Sequence, residues 1–81
     1  MTYRVTLAYE PDPAKVKFVQ EVYRDFDLRC PSEKELRGEV QQSEPGSRVG
    51  VRVTFHTHNK EKVLRLVDRV MDTRGMAVLI D

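Results

Sequence analysis

The residues of this chain best suited to chemistry are a pair of histidines near the end of a strand-like run. His56 and His58 are separated by one residue, so both imidazoles would share one face of a strand and could reach one metal ion. No third ligand has the spacing of a metal site, and polar residues between a strand and a helix cap explain the pair better. We therefore predict no metal and keep the two histidines as weak candidates.

A lone cysteine is the other candidate for chemistry. Cys30 would act as a nucleophile only beside a general base, and both histidines are far from it along the chain. The sequence contains no glycine-rich phosphate loop and no nucleophile elbow, so we predict that the protein is not an enzyme and needs no cofactor. A single cysteine forms no internal disulfide, which is typical of a reducing compartment, and we expect a cytoplasmic protein.

Composition limits the remaining classes of function. The 81 residues are 40% hydrophobic and 33% charged, with a net charge of +1. This composition is typical of one small folded domain, predicted over residues 1–81, and is too balanced in charge to imply a polyanionic partner. No apolar run approaches the roughly 20 residues of a membrane span, and no basic-then-apolar signal peptide begins the chain.

Two copies of one pattern, a strand followed by a capped amphipathic helix, organise the sequence. In the first copy, residues 3–9 alternate between apolar and polar, which predicts a strand with one buried face. Asp12 follows as an N-cap and Pro13 as a first helical residue, so a helix is predicted over residues 13–26. Its apolar stripe comprises Val16, Phe18, Val19, Val22, Tyr23 and Phe26.

The second copy begins with the alternating residues 49–57, and Asn59 is the predicted cap of its helix. Gly75 is predicted as the C′ residue that ends this helix, and residues 76–80 as a final strand. The predicted apolar stripe of the second helix comprises Val63, Leu64, Val67, Val70 and Met71.

The segment between the two copies has two interpretations. Ser32 with Glu35 has the spacing of a capping box and predicts a short helix that ends at Gly38. Alternatively, residues 36–42 form a strand, and residues 43–47, with the dipeptide Pro-Gly, turn into the next strand. We favour a combination of one helical turn and then a strand and hairpin.

The favoured order is therefore βαββαβ, the ferredoxin-like arrangement with two helices on one face of a four-stranded antiparallel sheet. We expect the first strand and the strand of residues 49–57 to be central neighbours that run parallel. The alternative is βααβαβ with a smaller mixed sheet.

This layout predicts which surfaces face the core and which face a partner. The residues predicted to point at the helices are Tyr3, Val5, Leu7, Tyr9, Val49, Val51, Val53 and Phe55. The residues predicted on the open face are Arg4, Thr6, Arg48, Arg52, Thr54 and His56. Arg4 and Arg52 are expected to lie close together on adjacent strands. A second predicted surface is an acidic hairpin with Glu33, Glu35, Glu39 and Glu44.

A small domain without a catalytic set is predicted to bind another protein, as an inhibitor, accessory or regulatory subunit of the kind that phages and plasmids encode. A homodimer through the sheet is one form of this hypothesis. Nucleic-acid binding by the arginines of the open face is an alternative, although the aromatic residues share the buried parity and base stacking is disfavoured.

A third hypothesis comes from the turn at residues 10–13, which follows the first strand and opens a helix. This order is similar in layout to amino-acid-sensing ACT domains, and the resemblance implies a regulatory domain for a small ligand. In that family the turn usually carries a glycine where the ligand approaches, whereas Pro13 stands there in this chain.

Overall fold

The computed structural model describes residues 1–39 and 50–81. The elements in these residues are β1 (Tyr3–Tyr9), α1 (Pro13–Asp25), α2 (Glu33–Leu36), β2 (Val51–Thr57), α3 (Lys60–Met71) and β3 (Met76–Ile80). The protein is an α+β domain whose described strands form one antiparallel sheet in the order β2-β1-β3. No helix in the described residues has the length and apolar character needed to cross a lipid bilayer.

Polar caps begin all three helices, as predicted. In each cap the side-chain oxygen accepts a hydrogen bond from the backbone N–H three residues later, at 2.9 Å for Asp12, 3.0 Å for Asn59 and 3.2 Å for Ser32. These bonds satisfy backbone donors that the first turn of a helix leaves without a partner. The first helix ends at Asp25, one residue before the prediction, and Phe26 is its C-cap.

The segment after α1 differs from the favoured prediction. A strand over residues 36–42 is wrong at Leu36, which ends α2 and is fully buried. The backbone oxygen of Leu36 accepts a hydrogen bond from the Tyr9 hydroxyl at 2.6 Å, so this helical turn is fixed to the sheet as well as capped by Ser32. Residues 37–39, which follow α2, form a turn rather than a strand. The last three residues of the predicted strand, 40–42, and the predicted hairpin at residues 43–47 lie outside the described residues. The order in the described residues is βααβαβ, that of the alternative.

The strands β1 and β2 run antiparallel, so the prediction of parallel neighbours is wrong. Tyr9 is opposite Val51, and Tyr3 is opposite Thr57. The physical reason is the return path of the chain. Helix α1 carries the chain away from the C-terminal end of β1 at Tyr9. The chain has returned to this end of the sheet at α2, as the contact between Leu36 and Tyr9 shows. Strand β2 begins beside Tyr9 and runs against β1, so the described sheet is antiparallel and the mixed sheet of the alternative is also wrong.

The core lies between one face of the sheet and the helices, as predicted. The buried strand residues are Val5, Leu7, Tyr9, Val51, Val53 and Phe55, and those of α1 are Val16, Val19, Val22 and Tyr23. Tyr3, Phe18 and Phe26 are partly buried against this core. The Phe55 ring lies 5.3 Å from the Tyr23 ring and 5.0 Å from the Phe26 ring between centroids, so aromatic contacts join β2 to α1.

The buried face of α3 differs from the predicted stripe. Its buried residues are Val63, Leu66 and Val70, which have the spacing i, i+3 and i+7 of one helical face. Leu64 and Met71, both assigned to the stripe, have exposures of 56% and 78%. The helix ends at Met71, and Gly75, with φ of +84°, lies in the turn before β3 rather than directly after the helix.

Candidate functional site

The candidate site is the face of the sheet that is turned away from the helices, which we call the open face. Strand register arranges its side chains in three rows, each with one residue from β1 and one from β2. The third residue of each row comes from β3 or, in one row, is Asp81 directly after it. The rows are Asp81, Arg4 and His56; Leu79, Thr6 and Thr54; and Ala77, Ala8 and Arg52. All of these side chains are exposed or half-exposed. The structure thus places the predicted open-face residues as expected, except Arg48, which lies outside the described residues.

The middle of the open face carries little charge. The hydroxyls of Thr6 and Thr54 are 3.0 Å apart across β1 and β2, so they satisfy part of each other's hydrogen-bonding capacity. Leu79 is beside Thr6 on β3 and has 60% of its surface exposed. Ala8 and Ala77, opposite each other in the next row, add two small apolar side chains. The centre of the face is therefore apolar and hydroxylic, with charge only at its two ends.

One end of the face is closed by an ion pair. The Arg4 guanidinium donates to Asp81 Oδ2 through Nε at 3.2 Å and also through Nη2. Reciprocal backbone hydrogen bonds of 3.2 and 3.0 Å hold the same two residues side by side. A carboxylate thus occupies the position at which Arg4 would otherwise meet an anionic partner.

The predicted closeness of Arg4 and Arg52 is wrong. Arg4 is opposite His56, whereas Arg52 is opposite Ala8, four residues further along β1. At about 3.3 Å per residue, the two arginines are separated by roughly 13 Å along the strands. The antiparallel register causes this separation. The start of β2, which carries Arg52, lies beside the C-terminal end of β1, whereas Arg4 is near the N-terminal end of β1.

Sequence reasoning missed the contribution of β3 to this face. Leu79 and Ala77 lie on the open face, while Met76, Val78 and Ile80 are partly buried against the core. Residues 76–80 are all apolar, so period-2 alternation gave no sign of which side chains point outward. Pairing with β1 in register supplies that information.

The two histidines do not converge. His56 is on the open face beside Arg4, whereas His58 lies beyond the end of β2. The His58 Nδ1 atom is 3.2 Å from the Thr2 hydroxyl and 3.3 Å from the backbone oxygen of Met1. Within residues 1–39 and 50–81, no three His, Cys, Asp or Glu side chains are grouped so as to hold a metal ion.

The acidic residues predicted on a hairpin do not form one where the structure describes them. Glu33 and Glu35 belong to the helical turn α2, and Glu39 follows it. The Glu33 carboxylate pairs with Arg37 Nη2 at 3.4 Å, one helical turn further on. Glu44 lies outside the described residues. The Ser32 cap and the buried Leu36 favour the helix over the strand that a hairpin requires.

The cysteine has the properties of an unreactive thiol. Cys30 is exposed, and partial desolvation raises the pKa of its thiol above the ordinary value. A raised pKa lowers the fraction of thiolate at neutral pH, and the thiolate is the nucleophilic form. Cys30 therefore supplies little thiolate at neutral pH, and the open face remains the candidate site.

The chain matches no protein-family model, no curated protein and no solved structure.

Proposed function

We propose that this protein is a non-catalytic interaction module that binds another protein through its open face, as an inhibitor, accessory or regulatory subunit. The observation that carries the proposal is the exposed Leu79 on β3, in the middle row of a face whose charges lie at its ends. Protein interfaces commonly have an apolar, uncharged centre and a polar rim. Leu79, Thr6 and the two alanines would form the centre, and the charged and polar residues at the two ends of the face would form the rim.

The size of the face sets a requirement on the partner. Three strands spaced by about 4.8 Å and roughly five residues along each strand give a surface of about 14 by 17 Å, or about 240 Å². A stable interface takes about 800 Å² from each partner. A partner centred on Leu79 therefore has to extend past the three described strands.

The ferredoxin-like arrangement with a fourth strand is part of this proposal. In the described residues, β2 pairs with β1 on one side only, and a fourth strand along its outer edge would widen the open face by about 5 Å. Cross-strand nuclear Overhauser effects from the Cα protons of β2 to a strand other than β1 would establish it. Their absence would limit the sheet to three strands.

Two features favour a protein partner over the alternatives. For nucleic acid, the Asp81 carboxylate neutralises Arg4 and would repel phosphates, and the described open face carries no Phe, Tyr or Trp side chain for base stacking. A small ligand at the turn before α1 would need backbone N–H donors that are free, and two N–H groups there already donate within the protein. The Asp12 N–H donates to the Glu10 backbone oxygen at 2.8 Å, and Lys15 N–H donates to Asp12.

A charge placed on the open face distinguishes these hypotheses. We would compare Leu79→Lys with Leu64→Lys, because the two leucines have similar exposures of 60% and 56% and lie on opposite sides of the domain. Each tagged protein is used for affinity capture from the source lysate, with and without nuclease, and its melting temperature is measured in parallel.

We expect the wild type and Leu64→Lys to recover a partner protein whether or not nuclease is present. Leu79→Lys should lose this partner. A lysine on the face adds an attraction for phosphate, so stronger, nuclease-sensitive recovery with Leu79→Lys would replace the proposal by nucleic-acid binding. A wild-type dimer that Leu79→Lys converts to a monomer in sedimentation would identify the partner as a second copy. Equal recovery with both variants would exclude the open face.

A further inference from the structure

A cavity of about 300 Å³ lies on the helix side of the domain, between α1 and α3. Its floor is formed by Val22, Phe26 and Leu66, and its rim carries Asp25, Lys62, Arg65 and Arg69. Val22 and Leu66 are buried core residues, whereas Asp25, Arg65 and Arg69 are exposed. The cavity therefore combines an apolar, aromatic floor with a charged rim that is open to solvent.

Two of the rim cations are engaged by the protein itself. Arg69 bridges the helices, with Nη1 3.2 Å from the Asp25 carboxylate and Nη2 3.7 Å from the Glu21 carboxylate. The Lys62 ammonium donates to the backbone oxygen of Asp25 and lies 6.0 Å from the centroid of the Phe26 ring. That carbonyl belongs to the last turn of α1, where the helix dipole favours a cation. These contacts fix the walls of the cavity.

Arg65 is different, because in the part of the chain that the structure describes it makes no ion pair and no hydrogen bond through its side chain. With Glu21 counted, which pairs with Arg69, the three cations of the rim, Lys62, Arg65 and Arg69, face two carboxylates. A guanidinium without a partner, above an apolar floor, is complementary to a carboxylate joined to an apolar group. Arginine also presents the planar pair of donors that fits a carboxylate.

We propose that this cavity binds an acidic peptide segment of a partner protein, with an apolar side chain on the floor and a neighbouring carboxylate on Arg65. The volume is at the lower end of the range for ligand sites, about 300–1,000 Å³, which suits one large side chain rather than a larger ligand. The exposed rim leaves room for the peptide to continue on both sides. This site is on the opposite side of the sheet from the open face and does not rest on the function proposed for that face.

The experiment is a titration of the ¹⁵N-labelled full chain with peptides, followed by NMR chemical shifts of the cavity amides. The acidic probe is N-acetyl-Asp-Phe-Asp-amide, and its neutral isostere N-acetyl-Asn-Phe-Asn-amide tests the need for charge. Inorganic phosphate, as a third probe, tests whether any anion suffices. Arg65→Gln removes the unpartnered guanidinium, and Arg24→Gln is the matched control, because Arg24 is exposed on α1 outside the cavity.

The proposal expects saturable shifts at Val22, Phe26 and Leu66 with the acidic peptide, with a Kd on the order of 1 mM for a ligand of this size. Arg65→Gln should weaken this binding about fivefold or more, because one charge-assisted contact is lost. Arg24→Gln should leave it within about twofold, as is usual for an exposed charge distant from the site.

Four results would overturn the proposal. They are the absence of saturable shifts at the floor residues, equal binding of the neutral isostere, equal weakening by both arginine variants, and phosphate shifting the floor amides as strongly as the peptide. The last of these would reduce the cavity to a general anion site with no role for its floor.

Discussion

The hydroxyl of Tyr9 is the contact that holds helix α2 to the sheet, and removing it gives the sharpest test of the fold. Tyr9 is 2% exposed, and its hydroxyl donates to the Leu36 backbone oxygen at 2.6 Å. Tyr9→Phe removes the donor and leaves a buried carbonyl oxygen without this partner. Losses of this type cost about 1–2 kcal/mol. For a domain of this size, 1.5 kcal/mol corresponds to a fall in melting temperature of roughly 6–12 °C.

Tyr3→Phe is the matched control, because Tyr3 lies on the same face of β1 but is only partly buried. In the described part of the chain its hydroxyl makes no hydrogen bond, so we expect a change within about 0.5 kcal/mol. Urea unfolding of both variants and the wild type gives the free energies of unfolding. Hydrogen exchange of the Leu36 and Arg37 amides reports whether α2 in particular is released.

The pH dependence of this difference provides a second test of the same contact. Burial, with smaller contributions from Tyr23 and Cys30, raises the pKa of Tyr9 to about 12. The unfolded value is about 10, so folding favours the protonated hydroxyl and the stabilisation is fully present below pH 10. It is lost as the pH rises from 10 to 12, by about 1.4 kcal/mol at pH 11. The wild type and Tyr9→Phe should therefore become about equally stable near pH 11.

Two results would refute this reasoning. The first is a Tyr9→Phe protein that is as stable at pH 7 as Tyr3→Phe, since the hydroxyl would then contribute nothing. The second is a stability difference between wild type and Tyr9→Phe that stays constant from pH 7 to pH 11, since the hydroxyl would then not be buried.

Two further predictions test the packing of α3 and the turn after α2. Leu66→Ala should lower the free energy of unfolding by about 2–4 kcal/mol, and Leu64→Ala by less than about 0.5 kcal/mol, because only Leu66 of the two is buried. Equal losses of the two variants in urea unfolding would contradict the face of α3 that is assigned to the core. Gly38→Ala should destabilise by about 1–2 kcal/mol, because φ is +75° and the added Cβ would lie 2.6 Å from Val51 Cγ2. Gly38→Asn should lose no more stability than this, because asparagine tolerates positive φ better than alanine. Thermal melts of the two variants separate the causes, since a larger loss for Gly38→Asn would show that the contact with Val51 dominates.

The local part of the structure could be predicted from sequence because its causes are local. Asp12 and Asn59 cap helices through hydrogen bonds to residues only three positions away. The alternation of residues 3–9 reflects one buried and one exposed face of β1, and the structure confirms both the strand and its inner side chains. Strand β3 was likewise predicted over residues 76–80.

The local pattern of apolar residues was not enough to predict which face of helix α3 is buried. Its apolar residues span an arc of roughly 160°, whereas its buried residues span roughly 60°, so more than one stripe could have been buried. Leu66 faces the core while Leu64 and Met71 face solvent, because the packing against the sheet selects one face. The spacing of Val63, Leu66 and Val70 was present in the sequence, but so was a competing stripe.

Sequence patterns alone predict the elements with strong caps and periodicity, and the sides of β1 and β2 that face the core. The tertiary structure alone decided that β2 runs antiparallel to β1, that Arg4 pairs with Asp81 rather than lying beside Arg52, and that Leu79 joins the open face. The reason is physical. Register and pairing between strands depend on contacts separated by 48 to 77 residues, such as Thr6 with Thr54 and Arg4 with Asp81, and no local pattern contains them.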